Sequence, residues 1–217
     1  MLQFCHVSKS YPTRDGRKVL LRDLNLTLPS GTKVGLLGRN GAGKSTLIGM
    51  IAGTVKISSG RIVRHGTVSW PMGFAGSFAP DLSGLQNARF VARIYGVDTD
   101  ALVKYVEEFS ELGEFMRMPV RSYSAGMRAR LAFGLSMALK FDWYLVDEIT
   151  AVGDAQFRKK SLAVFRERLE RSGLVMVSHS NATLREYCTA GIVLEHGEAI
   201  FYPDIEEAIA RHEANLG

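Results

Sequence analysis

The segment Gly38-Arg39-Asn40-Gly41-Ala42-Gly43-Lys44-Ser45 spaces its glycines, lysine and hydroxyl as G-x-x-x-x-G-K-[ST]. It follows a short apolar run, Lys33-Val-Gly-Leu-Leu37, and precedes a stretch that reads as a helix from about Lys44 to Ala52. That is the context such a loop needs. Glycines let the backbone turn its N–H groups inward around phosphate oxygens. The helix N-terminus adds partial positive charge. Lys44 is suited to place an ammonium on the β- and γ-phosphates of a nucleotide, and the Ser45 hydroxyl to ligate magnesium.

A second constellation is Trp143-Tyr144-Leu145-Val146-Asp147-Glu148. An apolar run without alternation reads as a buried strand, and it delivers two carboxylates to its carboxyl end. Asp147 can hold magnesium directly or through water, and Glu148 can polarise a water for attack on a γ-phosphate. An acid pair at a strand end can also be a helix start or a solvated edge; the phosphate loop beside it selects the chemical reading. Tyr123-Ser124-Ala125-Gly126-Met127 precedes a long helix expected from near Arg128. Ser124 and Gly126 would offer a hydroxyl and free N–H groups to an anion, or serve as a plain N-cap. His179 follows the apolar strand Leu174-Val-Met-Val177 and could contact a γ-phosphate, although a lone histidine is usually structural or superficial.

The elements that must position these groups form an α/β pattern. Residues 1–28 read as short strands around a turn at Arg14-Asp15-Gly16-Arg17, and residues 61–70 as further strand. From about 80 to 140 the period becomes helical, as in Ala88, Val91, Ala92 and Tyr95. A helix is expected over roughly 155–171. Alternation resumes at Gly191-Ile-Val-Leu-Glu195 and Ala199-Ile-Phe-Tyr202, before a final helix. The expected architecture is a single α/β phosphate-loop domain over 1–217, with an N-terminal antiparallel β region and an inserted helical lobe near 80–140.

Composition is compatible with this and excludes little. The chain has 217 residues, 46% of them apolar, enough for one compact unit with an inserted lobe. Lys plus Arg outnumber Asp plus Glu by 27 to 22, a net +5 that suits nucleic acid, anionic lipid, a phosphorylated ligand or an ordinary surface equally. The two cysteines, Cys5 and Cys188, rule out a disulfide framework and lead us to expect a reduced compartment. No signal-peptide layout is seen at MLQFCHVSKSYP, and no run approaches the roughly 20 apolar residues of a spanning helix. Membrane contact is therefore expected through a partner.

In this order, the pieces resemble the ATP-binding subunits of ABC transporters over nearly the whole chain. The resemblance implies a phosphate loop at 38–46, with Gly38, Asn40, Gly41, Ala42, Gly43, Lys44, Ser45 and Thr46 on the nucleotide. It implies a signature loop at Ser124 and Gly126, magnesium on Ser45 and Asp147, and catalytic roles for Lys44, Glu148 and a switch histidine, His179. A D-loop would be Ala151-Val-Gly-Asp154, and Tyr11 falls where the family sets an aromatic ring against adenine; a core-packed hairpin ring is the other reading of Tyr11. ATP and magnesium are the implied ligands. A head-to-tail homodimer with ATP at its interface and an integral membrane permease are the implied partners, with no nucleic acid.

Two features depart from the common pattern. The signature reads Tyr-Ser-Ala-Gly-Met, and the familiar glutamine is absent from Trp70-Pro-Met-Gly-Phe-Ala-Gly-Ser-Phe-Ala79, with Gln86 too far along to replace it. These segments, with Val-Asp-Glu-Ile-Thr-Ala-Val-Gly-Asp, resemble the ATPases of capsular polysaccharide exporters in Gram-negative bacteria. The extra carbohydrate-binding domain of many O-antigen exporters is not expected here. The implied location is the cytoplasmic face of the inner membrane, with residues 74–85 as the expected docking surface for the permease. Export of O-antigen or teichoic acid, a soluble ATPase acting on nucleic acid or ribosomes, and a small-molecule kinase are the competing readings. The last two fit less well: a single short cassette has no tandem copy or coiled-coil insert, and Glu148 suits water activation better than an acceptor site.

Overall fold

The structure is a computed structural model that describes residues 1–14, 16–72, 78–148 and 154–216. It folds as two compact units. The first takes Met1–Pro71, Phe141–Glu148 and Arg171–Gly217; the second takes Met72–Lys140 and Ile149–Glu170.

In the first unit, β1 (Leu2–Thr13) and β2 (Gly16–Leu28) form a long antiparallel hairpin, and β4 (Ser59–Arg64) pairs with the other edge of β1. The strands are longer than the short ones expected. Bulges between Phe4 and Ser10 absorb the twist, with His6 and Asp23 at φ 50° and 44°, so the pairing continues past each irregularity. The core sheet has the order β5-β6-β7-β3-β8-β9. Here β3 is Lys33–Gly38, β5 Val68–Met72, β6 Trp143–Asp147, β7 Gly173–Val177, β8 Ala190–Glu195 and β9 Glu198–Tyr202. Residues 61–70, expected as one strand, are split between the two sheets. The turn before β5 includes Gly66 at φ 97°, and Asp142 secures it by accepting hydrogen bonds from the Thr67 N–H (2.7 Å) and hydroxyl (2.9 Å).

Strands β6, β7, β3 and β8 are parallel, and their all-apolar runs are buried on both faces, as covering by helices requires. Helix α1 (Lys44–Ala52) packs against β3, β6 and β7, and Leu47, Ile48, Met50 and Ile51 join the main core with Leu36, Trp143 and Val175. Helix α6 (Asn181–Tyr187) and α7 (Ile205–Ala214) complete the unit. Parallel register sets Leu36, Val177 and Asp147 in one row, so the carboxyl ends of β3, β7 and β6 finish together. Ligands bind at that edge of such sheets.

The second unit is helical: α2 (Gly84–Tyr95), α3 (Thr99–Ser110), α4 (Ala125–Ala138) and α5 (Ala155–Leu169). It takes in α5 as well as the 80–140 stretch, because Phe157 packs edge-on against Phe109 and Lys160 pairs with Glu111. Helix α4 begins three residues before the expected Arg128, because Ser124 accepts a hydrogen bond from the Met127 N–H and caps it there. Gln86 is engaged in a capping box: its side chain accepts from the Ser83 N–H while Ser83 Oγ accepts from its own N–H. This is a helix-starting role.

Candidate active site

The loop after β3 turns on two glycines. Gly41 has φ 80° and Gly43 φ 106°, values open to glycine and strained for other residues. Gly43 caps α1 without a side-chain hydrogen bond, so the first-turn N–H groups of α1 face the loop concavity. Gly38 admits no side chain either: a Cβ there would come within 2.6 Å of the Leu194 carbonyl oxygen.

Lys44 reaches back across this loop. Its ammonium donates to the carbonyl oxygens of Gly38 (2.6 Å) and Arg39 (3.2 Å). Burial pushes its pKa below the ordinary lysine value, while the carboxylates of Asp147 and Glu148 act in the opposite sense. A partly desolvated cation near two acids, at the start of a helix, is arranged to receive an anion.

The acids arrive as the sheet dictates. Asp147 ends β6 opposite Val177 of β7. Glu148 continues the ladder by donating its N–H to the Val177 carbonyl (3.1 Å), then leaves in the left-handed conformation at φ 62°. For a non-glycine residue that conformation is uncommon and marks a held geometry. It brings Glu148 Oε1 to 2.7 Å from His179 Nε2, with both side chains partly open to solvent.

A cavity of about 580 Å³ gathers Tyr11, Lys18, Leu20, Asn40, Gly41, Gly43, Lys44, Ser45, Thr46, Asp147, Glu148, Val177 and His179. Most of the residues singled out from sequence share it. Tyr11 is 40% exposed instead of packed in the core, with the Lys9 ammonium 4.3 Å from its ring centroid. Gly38 and Ala42 line the opposite side of the loop. Lys18 and Leu20 were not anticipated. The hairpin register could have found Lys18, since it pairs directly with Tyr11, and Leu20 lies over Gly43. Ser124 and Gly126 stand in the helical unit, both exposed at the N-terminus of α4. Of the D-loop segment, residues 151–153 lie outside the described residues. Asp154 caps α5 and accepts from Arg130 (2.6 Å).

Among the described residues no cluster of three or more His, Cys, Asp or Glu could hold a metal unaided. Ser45 and Asp147 both line the cavity, and their two hard oxygens suit magnesium when phosphate oxygens and water complete the shell. What the arrangement can do chemically is hold a polyphosphate against Lys44 and present a carboxylate–imidazole pair to a water beyond it.

Comparison with known proteins adds sequence relationship to this geometry. The ABC transporter family profile matches residues 21–151. The chain is 48% identical to the polysialic acid transport ATP-binding protein KpsT of Escherichia coli, across 100% of both chains. It is 46% identical to the capsule polysaccharide export ATP-binding protein CtrD of Neisseria meningitidis serogroup B, covering 96% of each. Its fold matches the ATP-binding cassette MJ0796, solved as a dimer in a post-hydrolysis state bound to ADP and Pi, with a TM-score of 0.78 at 19% identity, covering 94% of this chain and 99% of that one.

Proposed function

This chain belongs to the ABC transporter family, and we propose that it is the ATP-hydrolysing subunit that powers export of a capsular polysaccharide through a separate membrane subunit. The observation that carries the chemistry is the convergence of Lys44, Asp147, Glu148 and His179 on one phosphate-loop cavity. The cargo follows from full-length identity to polysaccharide-export relatives.

In this reading the loop N–H groups and Lys44 hold the β- and γ-phosphates, and Tyr11 stacks on the adenine. Ser45 and Asp147 would hold magnesium, which when bound neutralises phosphate charge. Glu148 polarises the attacking water, and His179 orients the Glu148 carboxylate and faces the γ-phosphate. The γ-phosphate side of such a loop stays open to solvent in one subunit. A second copy, set head to tail, covers it with Ser124 and the N–H groups at the start of α4, and excludes bulk water.

No helix among the described residues is long and apolar enough to cross a membrane. In this reading, attachment to the cytoplasmic face of the inner membrane runs through the permease, as the polysaccharide-export relatives suggest. Residues 74–85 remain the proposed docking surface; 74–77 lie outside the described residues, while Leu82 is exposed. On α2, Phe90 and Ile94, 58% and 61% exposed and one turn apart, extend the apolar surface that a partner helix would cover.

The test is replacement of the chromosomal gene in its own host by the Glu148→Gln form. Surface polysaccharide should disappear and polymer should accumulate inside the cell, while the wild-type gene restores export. Normal surface polysaccharide in the mutant would refute the reading.

A further inference from the structure

A second, smaller cavity of about 220 Å³ lies on the outer face of the phosphate loop, away from the nucleotide side. Its walls are the loop itself, the β8–β9 turn with Glu195 and His196, and His212 and Asn215 from the end of α7. The helix is fixed close to the sheet. Ala208 packs where a Cβ on Gly191 would stand 2.3 Å away, and Ile205 packs over Gly35. At its far end Asn215 donates to Glu195, with Arg211 3.9 Å from the same carboxylate. Helix α7 is thus held at both ends, and His212 and Asn215 at its end line the cavity with the loop.

We propose that His212 is a positioning residue for the nucleotide phosphates, acting from behind the phosphate loop. This rests on the nucleotide-site reading above and deepens it. The charged and titratable groups around the imidazole are Arg39 and Lys44 on the loop side, Glu195 and His196 from the β8–β9 turn, and Arg211 and Glu213 on its own helix. Burial first, and then the Lys44 ammonium, hold the His212 pKa below the ordinary histidine value, with Glu195 and Glu213 opposing. In the free protein burial and the Lys44 ammonium thus disfavour the imidazolium. The neutral imidazole supports the loop without adding a repelling cation behind Lys44.

The sign changes when a polyphosphate enters. Negative charge on the far side of a thin loop favours the imidazolium, so the His212 pKa is higher in the complex than in the free chain. By linkage, nucleotide binding takes up protons through His212, and affinity gains as pH falls toward the free-state value. The Asn215 hydrogen bond to Glu195 holds the helix end beside the loop.

The experiment is calorimetric titration of the full chain with the magnesium complex of a non-hydrolysable ATP analogue. Two buffers of different ionisation enthalpy are used, at pH 6 and pH 8. Wild type should take up more protons per nucleotide than His212→Gln. The Kd ratio of the variant to wild type should grow about threefold or more from pH 8 to pH 6. His212→Lys, a permanent cation, should bind more tightly than His212→Gln at pH 8. Equal proton uptake in wild type and His212→Gln, with both binding nucleotide, overturns the role of His212. If neither protein binds nucleotide while both melt cooperatively, the nucleotide-site reading fails instead. A merely structural role would lower the melting temperature of both variants without a pH-dependent Kd ratio, which also counts against the proposal.

Discussion

Glu148 Oε1 lies 2.7 Å from His179 Nε2, the two residues standing at the ends of adjacent parallel strands. The contact depends on Glu148 turning left-handed directly after the β6–β7 ladder ends. Replacing Glu148 with Gln keeps the shape and removes the charge. Phosphate release should fall by about 10²- to 10⁴-fold while nucleotide affinity is retained. His179→Ala should also slow release, by leaving the carboxylate free to rotate. Steady-state phosphate assays beside nucleotide titration separate the two steps, and unchanged turnover in Glu148→Gln would remove it from catalysis.

Tyr11 lines the cavity, and the Lys9 ammonium lies 4.3 Å from its ring centroid. Tyr11→Ala should weaken ATP binding by about 1–3 kcal/mol, the range for base–aromatic stacking, whereas Tyr11→Phe should bind within about twofold of wild type. Because every base has a flat face, GTP should lose as much as ATP. A loss equal in Phe and Ala would assign the effect to the hydroxyl and overturn the stacking role.

Mixed subunits test the composite site. Lys44→Ala and Ser124→Arg homodimers should both be inactive, the first through its loop and the second through the start of α4. Mixed together they should regain part of the wild-type ATPase rate, because one of the two sites then has an intact loop facing an intact Ser124. A crosslinked heterodimer with no activity would indicate either independent sites or obligatory joint firing. ATP occupancy of one site in that heterodimer, measured with labelled nucleotide, distinguishes them.

Asp142 gives a pH-dependent term. Hydrogen bonds from the Thr67 N–H, and then its hydroxyl, hold its carboxyl below the ordinary aspartate value. The unfolded chain therefore binds more protons than the folded one in that range. The stabilisation is complete above about pH 4 and is lost as pH falls through the folded-state pKa. Asp142→Asn should be less stable than wild type at pH 7, and the gap should close below about pH 4 in urea unfolding. A gap constant from pH 7 to pH 3 would mean the charge contributes nothing.

How much of this was legible beforehand depends on the range of the interactions involved. The phosphate loop could be read directly, because its glycines, Lys44 and Ser45 act through local backbone geometry between an apolar strand and a helix. The buried strands β6 and β7 announced themselves as apolar runs for the same reason. The start of α4 at Ala125 was also local, but the Ser124 cap and the anion-binding reading share one sequence signature. The capping box that Gln86 forms with Ser83 was not foreseen.

What the sequence by itself determined, then, was the presence of a phosphate loop, its acidic strand and the α/β alternation around them. Only the tertiary structure decided which residues meet. Lys18 faces the cavity because the β1–β2 register sets it opposite Tyr11. Residues 59–72 divide between two sheets because β4 finds β1 while β5 finds β6. His179 reaches Glu148 because β7 runs parallel to β6 in register, and His212 reaches the back of the loop because Gly191 lets α7 approach β8. Pairing between strands far apart in the chain is chosen by burial of whole faces at once. No short window of residues encodes that choice.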